Sequence, residues 1–452
     1  MELGTNLHEL RPIHYLGSKL RILDTIGDTI NSVSPGHGRI CDLFSGSGTV
    51  SRYFAHSRPV TAVDIQEYSR VLCTAVLMPV RFPFTGHELG TRIKESKEYE
   101  ILLNSFEPLL TYERTATENT KQDNLASLYD LIANGSVIVA EKECLPKSQK
   151  LSSAIQTSLK LLERAGLSNS VDTMVTRYFG GRYFSVEQAI CIDAALDYIY
   201  NQINDASIRN SLLAALLSTT SEIVNTVGKQ FAQPLQVLDK TGKPKQKLLK
   251  KILDDRAVSF WDSFASWVDA YSTIEPTPSF SHKVLCLDFH DALKQMQHSD
   301  VSVVYADPPY TRYHYSRYYH VLETICLRDL PEISPSFVGG TQLSRGIYRE
   351  GRHQSPFCIR SKAGEAFDYL FAGVAELKVP FVLSYSPFSE SSLSTPRLQT
   401  IEQLLKKARH YYEDISLVSP GHFMHSKLNT VEKNYEAEQE AELLIVCQGI
   451  KR

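Results

Sequence analysis

The chain has 452 residues, 42% of them hydrophobic and 22% charged, with a formal net charge of −3. That length suits one large domain carrying an insertion, or two domains. A charge so near neutral excludes a generally basic nucleic-acid coat, so any basic surface must be local.

At the N-terminus, "MELGTNLHELRPIHYLGSK" lacks the apolar core of a signal peptide. Strand-like segments begin with "RICDLF" (39–44), which runs into a Gly-rich turn, and "VTAVDI" (60–65). From about residue 85 to 280 these signals fade. "FGGRYFS" (179–185) reads as a flexible turn, and "SVEQAICIDAALDYIYNQI" (185–203) and "RNSLLAALLSTTSEIVNTV" (209–227) as helices. A Lys-rich loop over 240–251 follows. Strands return with "HKVLCLDF" (282–289), "VSVVYAD" (301–307), "PFVLSYS" (380–386), "YEDISLV" (412–418) and "AELLIVC" (441–447), with a helix over 363–377. The alternation predicts an α/β fold with a doubly wound sheet. One domain is expected from 1–84 and 281–452, interrupted by a mainly helical insertion at 85–280, because so long a segment cannot be a plain loop. No apolar run reaches membrane-spanning length. The eight cysteines include no Cys-x-x-Cys and no paired Cys/His spacing. A soluble, cytoplasmic protein with reduced thiols and no metal is expected.

Two stretches carry chemistry. In "CDLFSGSGTVSRYF" (41–54) a strand ending in Asp42 turns through Gly46 and Gly48 into a helix. Such glycines let the backbone approach a ligand closely. The next strand ends at Asp64, where an acidic side chain commonly binds ribose hydroxyls. In "YADPPY" (305–310) two prolines end a buried strand and present Asp307 and Tyr310 at its carboxyl end. A carboxylate and a proline-turn carbonyl that accept the N–H bonds of an aromatic amine localise its lone pair toward an incoming methyl group. A tyrosine one step on can stack on the ring.

With these motifs the sequence resembles the Dam-like adenine-N6 DNA methyltransferases, which use S-adenosylmethionine. "HYLGSK" (14–19) resembles the family's N-terminal cofactor motif, with Tyr15 and Lys19 as its aromatic and its lysine. "DLFSGSGT" (42–49) is similar to the glycine motif, and "VDI" (63–65) to the ribose-binding strand. "LDF" (287–289) is similar to the strand whose acidic residue, here Asp288, approaches the cofactor's adenine. The resemblance implies a Rossmann-like methyltransferase fold. It assigns the cofactor to Tyr15, Lys19, Asp42, Phe44, Gly46, Gly48, Asp64 and Asp288, and catalysis to Asp307, Pro308, Pro309 and Tyr310.

The expected substrate is adenine N6 in double-stranded DNA, flipped out of the helix, in a restriction–modification or defence setting with possible partner proteins. An RNA adenine-N6 enzyme, a cytosine-N4 enzyme or a catalytically idle DNA-binding subunit are the alternatives. Arg312 and Arg317, near the catalytic turn, are expected at phosphates of the flipped nucleotide. Lys243, Lys245 and Lys247 are either phosphate contacts or a solvated face. The insertion is the expected target-recognition region. His314 and His320 are read as packing or hydrogen-bonding side chains.

Overall fold

The computed structural model describes residues 11–15, 17, 19–276, 280–337, 340–386, 397–421 and 442–451. Residues 1–10 of the N-terminal stretch, Leu16 and Ser18 of "HYLGSK", and Ala441 of "AELLIVC" lie outside the described residues. No described helix is long and apolar enough to cross a membrane.

Seven strands form one sheet: β1 Arg39–Leu43, β2 Val60–Asp64, β3 Lys283–Cys286, β4 Val301–Ala306, β5 Phe381–Tyr385, β6 Tyr412–Val418 and β7 Leu443–Ile450. Each predicted strand segment is present. The largest boundary errors fall where a polar turn follows, as after Cys286. The spatial order is β3-β2-β1-β4-β5-β7-β6. β3, β2, β1, β4 and β5 are parallel to one another, and β7 runs antiparallel between β5 and β6. Every residue of β1 and of β5 is buried, as for strands covered on both faces. This strand order, with helices on both faces, is the Rossmann-like α/β architecture expected from the sequence.

The direction of strand addition reverses between β1 and β4, and open α/β sheets bind their ligands in the crevice at such a reversal. Leu43 pairs with Ala306, so the two strands end level with each other. The glycine turn and the Asp-Pro-Pro-Tyr turn therefore emerge side by side.

Between β2 and β3 the chain is helical, from Glu67–Leu77 through Lys97–Asn119, Gln149–Arg164, Val186–Gln202 and Ala206–Ile223 to Phe260–Ser272. The helix Val186–Gln202 starts with a capping box: Ser185 Oγ accepts from the Gln188 amide and the Gln188 side chain accepts from the Ser185 amide. It and Ala206–Ile223 are apolar almost all round and correspondingly buried. A single hydrophobic cluster joins Ile40 and Val60 of the sheet to Phe106, Ile190, Leu216 and Phe264 of these helices. The other sheet face packs Val304 and Leu383 on Phe367 and Phe371 of the helix Ala363–Glu376.

Two expectations are corrected here. The Lys-rich loop ends early, because Lys250 and Lys251 belong to the helix Leu249–Ala257. Its start is a tight turn in which Asp239 Oδ1 accepts from the amides of Thr241 and Lys243, with Gly242 at φ 83°. "FGGRYFS" does turn, at 181–183, but it is buried and tied down rather than flexible: the Tyr183 hydroxyl sits 3.1 Å from Phe231 O and 3.0 Å from Gly346 O.

Arg58 ties the edge of this assembly together. It is 2% exposed and donates to Gly38 O (2.7 Å), Ser34 O (3.0 Å), Ser34 Oγ (3.0 Å) and Ser302 Oγ (2.8 Å). These acceptors lie before β1, after the helix Leu23–Val33 and on β4. Arg58→Met strands buried acceptors, and is expected to lower the unfolding free energy by about 3 kcal/mol. Urea denaturation checks this, with an unchanged midpoint as the contrary result.

Candidate active site

The first wall of the site is made where β1 ends. Phe44 adopts φ 65°, a left-handed conformation that costs a non-glycine residue about 1–3 kcal/mol and that clusters at functional sites. The turn places the Ser45 amide 2.9 Å from Val63 O and the Gly46 amide 3.0 Å from Asp64 Oδ2. Gly46 has φ 55°, and a Cβ there would stand 2.5 Å from the Tyr15 hydroxyl oxygen. Only glycine lets the turn close on Tyr15. Gly48, at φ 78°, precedes the helix Thr49–Ala55.

Asp64 holds two backbone amides at once, Gly46 through Oδ2 and Gln66 through Oδ1 at 3.0 Å each. Burial raises its pKa despite these bonds. Asp42 goes elsewhere. Its side chain is buried beneath the turn and accepts from Ser51 Oγ at 2.6 Å, and burial pushes its pKa up to about 7. It does not line the cleft that its motif neighbours share.

That cleft encloses about 780 Å³ of empty space, its open mouth included. Tyr15, Phe44, Asp64, Asp288, Asp307 and Pro309 all line it. Asp288 follows β3 and caps the helix Phe289–Gln295 by accepting from the His290 amide at 2.9 Å. The Phe44 ring packs against Phe289 and Phe357, with centroids 5.7 and 5.4 Å away, giving the cleft an apolar side. Tyr15 is fixed by Tyr319, stacked at 5.2 Å with planes 9° apart.

The second wall is the turn after β4. Asp307 Oδ2 lies 2.7 Å from Lys19 Nζ, which also lies 3.3 Å from Glu442 Oε1. The same Glu442 oxygen accepts from Ser384 Oγ at 2.7 Å. Lys19 is 6% exposed and Glu442 2%. Burial pulls the Lys19 ammonium down, but Asp307 and Glu442 outweigh it and hold its pKa well above the ordinary value. Burial likewise raises Asp307; Lys19 opposes this, Glu442 adds to it, and the result is about 6. Asp307 Oδ1 is buried and has no hydrogen-bond partner among the described residues. A buried acceptor left open at a cleft is a place for a ligand's donor.

Pro308 is buried and Pro309 faces the cleft. The Tyr310 ring meets Tyr385 edge-on at 5.3 Å, and the Arg397 guanidinium lies 4.6 Å from its centre. Arg397 is anchored by donating to Ser386 Oγ at 2.7 Å. Beyond the turn Arg312 is exposed. Arg317 and Arg352 both lie over the Tyr348 ring, at 5.1 and 5.2 Å. Arg352 Nε and His314 Nδ1 are buried without hydrogen-bond partners among the described residues. His320 is a packing histidine: Nε2 lies 3.0 Å from Phe231 O, and burial lowers its pKa to about 3.

The lysines belong to another place. Lys245 donates to Gln236 O at 2.8 Å and lines a separate open groove with Arg182 and Arg345. Lys243 is exposed on the turn beside it, and Lys247 lies in the short helical turn Gln246–Leu248. The structure thus unites Tyr15, Lys19, Phe44, Gly46, Asp64, Asp288 and the Asp-Pro-Pro-Tyr turn, and leaves Asp42 below and the lysines apart. Glu442, Ser384, Arg397 and the pairing of Arg352 with Arg317 over Tyr348 were not assigned from sequence. Glu442 sits before an ordinary apolar strand, with no spacing to mark it.

Comparison with known proteins follows the same lines. The model of the D12 class N6 adenine-specific DNA methyltransferases matches residues 15–137 and 271–335. These segments hold Tyr15, Lys19, the glycine turn, Asp64, Asp288 and the Asp-Pro-Pro-Tyr turn. "Modification methylase LlaI" of Lactococcus lactis subsp. lactis is 22% identical over 435 residues, 96% of this chain and 54% of that protein. "Type II methyltransferase M.FokI" of Planomicrobium okeanokoites is 26% identical over 365 residues, 79% of this chain and 42% of that protein. The chain therefore spans about half the length of the curated relatives it matches. Motifs, cleft and match share one likeness, to the D12 class N6 adenine-specific DNA methyltransferases, whose model covers fewer than half of this chain's residues.

Proposed function

We propose that this chain methylates the N6 of adenine in double-stranded DNA, using S-adenosylmethionine, as the modification enzyme of a restriction–modification or related defence system. The observation that carries the reading is the open Asp307 Oδ1, buried at the cleft while Lys19 occupies Oδ2. One oxygen of the carboxylate is held by Lys19, and the other is an unused acceptor of a residue that lines the cleft, the kind of group an exocyclic amine would satisfy. One relative is a modification methylase and the other a Type II methyltransferase, which supports the methyl-transfer reading.

The cleft suits the cofactor. Gly46 keeps the turn free of a side chain against Tyr15, Asp64 and Asp288 offer carboxylates on one side, and Phe44 offers an apolar surface. Held by these residues, S-adenosylmethionine would supply a methyl group carried on a positively charged sulfur, for transfer to N6. Asp307 Oδ1 accepts an N6 hydrogen, aligns the lone pair, and receives the proton that the methylated nitrogen releases. Lys19 cannot serve as that base, because its carboxylate partners keep it protonated. Tyr310 gives the extruded base a stacking surface worth about 1–3 kcal/mol, and Arg397 yields that surface as the base arrives. Extrusion costs a few kcal/mol, so phosphate contacts have to contribute. Arg317 and Arg352, two cations on one tyrosine beside the cleft, are placed to supply them, with Arg312 at the outer edge. Lys243, Lys245 and Lys247 act further along the duplex, on the helical segment that we assign to target recognition.

Expression in a methylation-free host, followed by single-molecule sequencing, tests the proposal as a whole. N6-methyladenine at a defined site is expected, and unmodified adenines overturn it. Asp64→Ala is expected to weaken S-adenosylmethionine binding about 10-fold or more in calorimetry; unchanged affinity would place the cofactor elsewhere. Asp307→Ala is expected to lower turnover by roughly 10²-fold with cofactor affinity kept. Since Asp307 must be ionised to accept, wild-type turnover should fall as pH drops through about 6. A flat rate from pH 5 to 8 (roughly one unit below and two above that value) contradicts the assignment. For the DNA, Arg317→Gln with Arg352→Gln should flatten the slope of log affinity against log salt by about 1.8, and alanine at Lys243, Lys245 and Lys247 by up to about 2.7. Sequence preference should persist in both, and fluorescence anisotropy over a salt series reads the slopes. A wild-type slope in either variant marks those side chains as a solvated face.

A further inference from the structure

We propose that Glu442 is a positioning residue of the methyl-transfer site: it anchors Lys19 so that the ammonium engages only Asp307 Oδ2, leaving Oδ1 open and basic for the adenine amine. The inference rests on the function proposed above and extends it to a residue that stands outside every motif.

The geometry is a chain of contacts. Ser384 Oγ on β5 donates to Glu442 Oε1 at 2.7 Å, which fixes that oxygen. Lys19 Nζ lies 3.3 Å from it and 2.7 Å from Asp307 Oδ2. A second contact, to Gly17 O at 3.4 Å, holds the ammonium from its own segment. With Glu442 gone, a lysine on a flexible four-carbon stem has one carboxylate left and can swing to straddle both of its oxygens. The acceptor for N6 is then filled by the enzyme's own cation. Glu442 therefore acts by dividing the ammonium between two carboxylates.

It also sets the charge at Asp307. The titratable groups around that carboxylate are Lys19 from the N-terminal segment, Glu442 before β7, Tyr305 on β4, Tyr310 on the turn, Tyr315 on the following helix and Asp42 on β1. Tyrosines are neutral below pH 8, and the nearby cation is Lys19. Glu442 is the carboxylate that shares it. Removing Glu442 takes away a like charge and concentrates Lys19 on Asp307. Both effects make Asp307 more acidic, and so a poorer acceptor of the N6 proton.

The test needs neither DNA nor cofactor in its first arm. Protein carrying ¹³C in its aspartate carboxyls is titrated by NMR, with Asp307→Asn identifying the Asp307 signal. The Asp307 midpoint is expected near 6 in the wild type, clearly lower in Glu442→Gln, and close to wild type in Glu442→Asp, which keeps the charge. Lys19→Met must move it the opposite way, upward, and this variant decides the matter if Glu442→Gln does not fold. The second arm is the pH dependence of single-turnover methyl transfer. Glu442→Gln should lower the rate about 10-fold or more and move the acid limb down with the NMR midpoint, with cofactor affinity retained. An unmoved midpoint overturns the proposal even if the rate falls, because a merely structural glutamate would lose rate without changing Asp307. If the wild-type chain transfers no methyl group to adenine, the function proposed above fails, and the titration arm still decides the role of Glu442.

Discussion

The structure of the site depends on one buried ammonium. Lys19 meets Asp307 at 2.7 Å and Glu442 at 3.3 Å, and by doing so joins three stretches of chain separated by hundreds of residues. Taking each ion out of water costs several kcal/mol, and an unpaired carboxylate there would be strongly destabilising. Two carboxylates against one ammonium leave a residual negative charge, which the fold tolerates at the mouth of a cleft. Under the function we propose, the imbalance is chemically apt, since a positively charged methyl donor gains from an electron-rich wall. The same burial that raises Asp307 makes its open oxygen a stronger acceptor than a solvated aspartate.

The helical segment between β2 and β3 is locked to this core. Its helices share one hydrophobic cluster with the sheet, and Tyr183 reaches across to Phe231 and Gly346. Glu323, from the helix His320–Leu327 that follows the Asp-Pro-Pro-Tyr turn, accepts from the amides of Glu67 and Tyr68 at 3.1 Å each. A carboxylate there satisfies two of the free amides that open the helix Glu67–Leu77. The segment after Asp307 is thus fastened to the wall that follows Asp64.

β1, β2, β4 and β5 were legible because each is a short, largely apolar run closed by a polar or proline turn, a pattern that burial in the middle of the sheet imposes. Asp307 and Tyr310 were legible for a related reason, since consecutive prolines can stop a strand only where the chain turns outward. Asp42 shows the limit of motif reading: its place at a strand end is visible in sequence, but its hydrogen bond to Ser51, facing away from the cleft, is a tertiary fact. Glu442 was illegible because its meaning comes from Lys19 and Asp307, which are brought to it by strand order alone. The Lys-rich stretch was half misread because Leu249, Ile252 and Leu253 give it a helical face that its charges obscure.

The place of β7 has a consequence for how the molecule comes into being. It enters between β5 and β6, antiparallel to both, although it is made after both. During vectorial synthesis the parallel core, the cleft and the helical segment can all be in hand while β5 still shows a bare edge, a template for wrong pairing. Until residues 442–450 leave the ribosome, that edge is open and Lys19 lacks its second counter-ion. The glutamate that leads β7 therefore marks a step of assembly: when it reaches Lys19, β7 has filled the gap between β5 and β6.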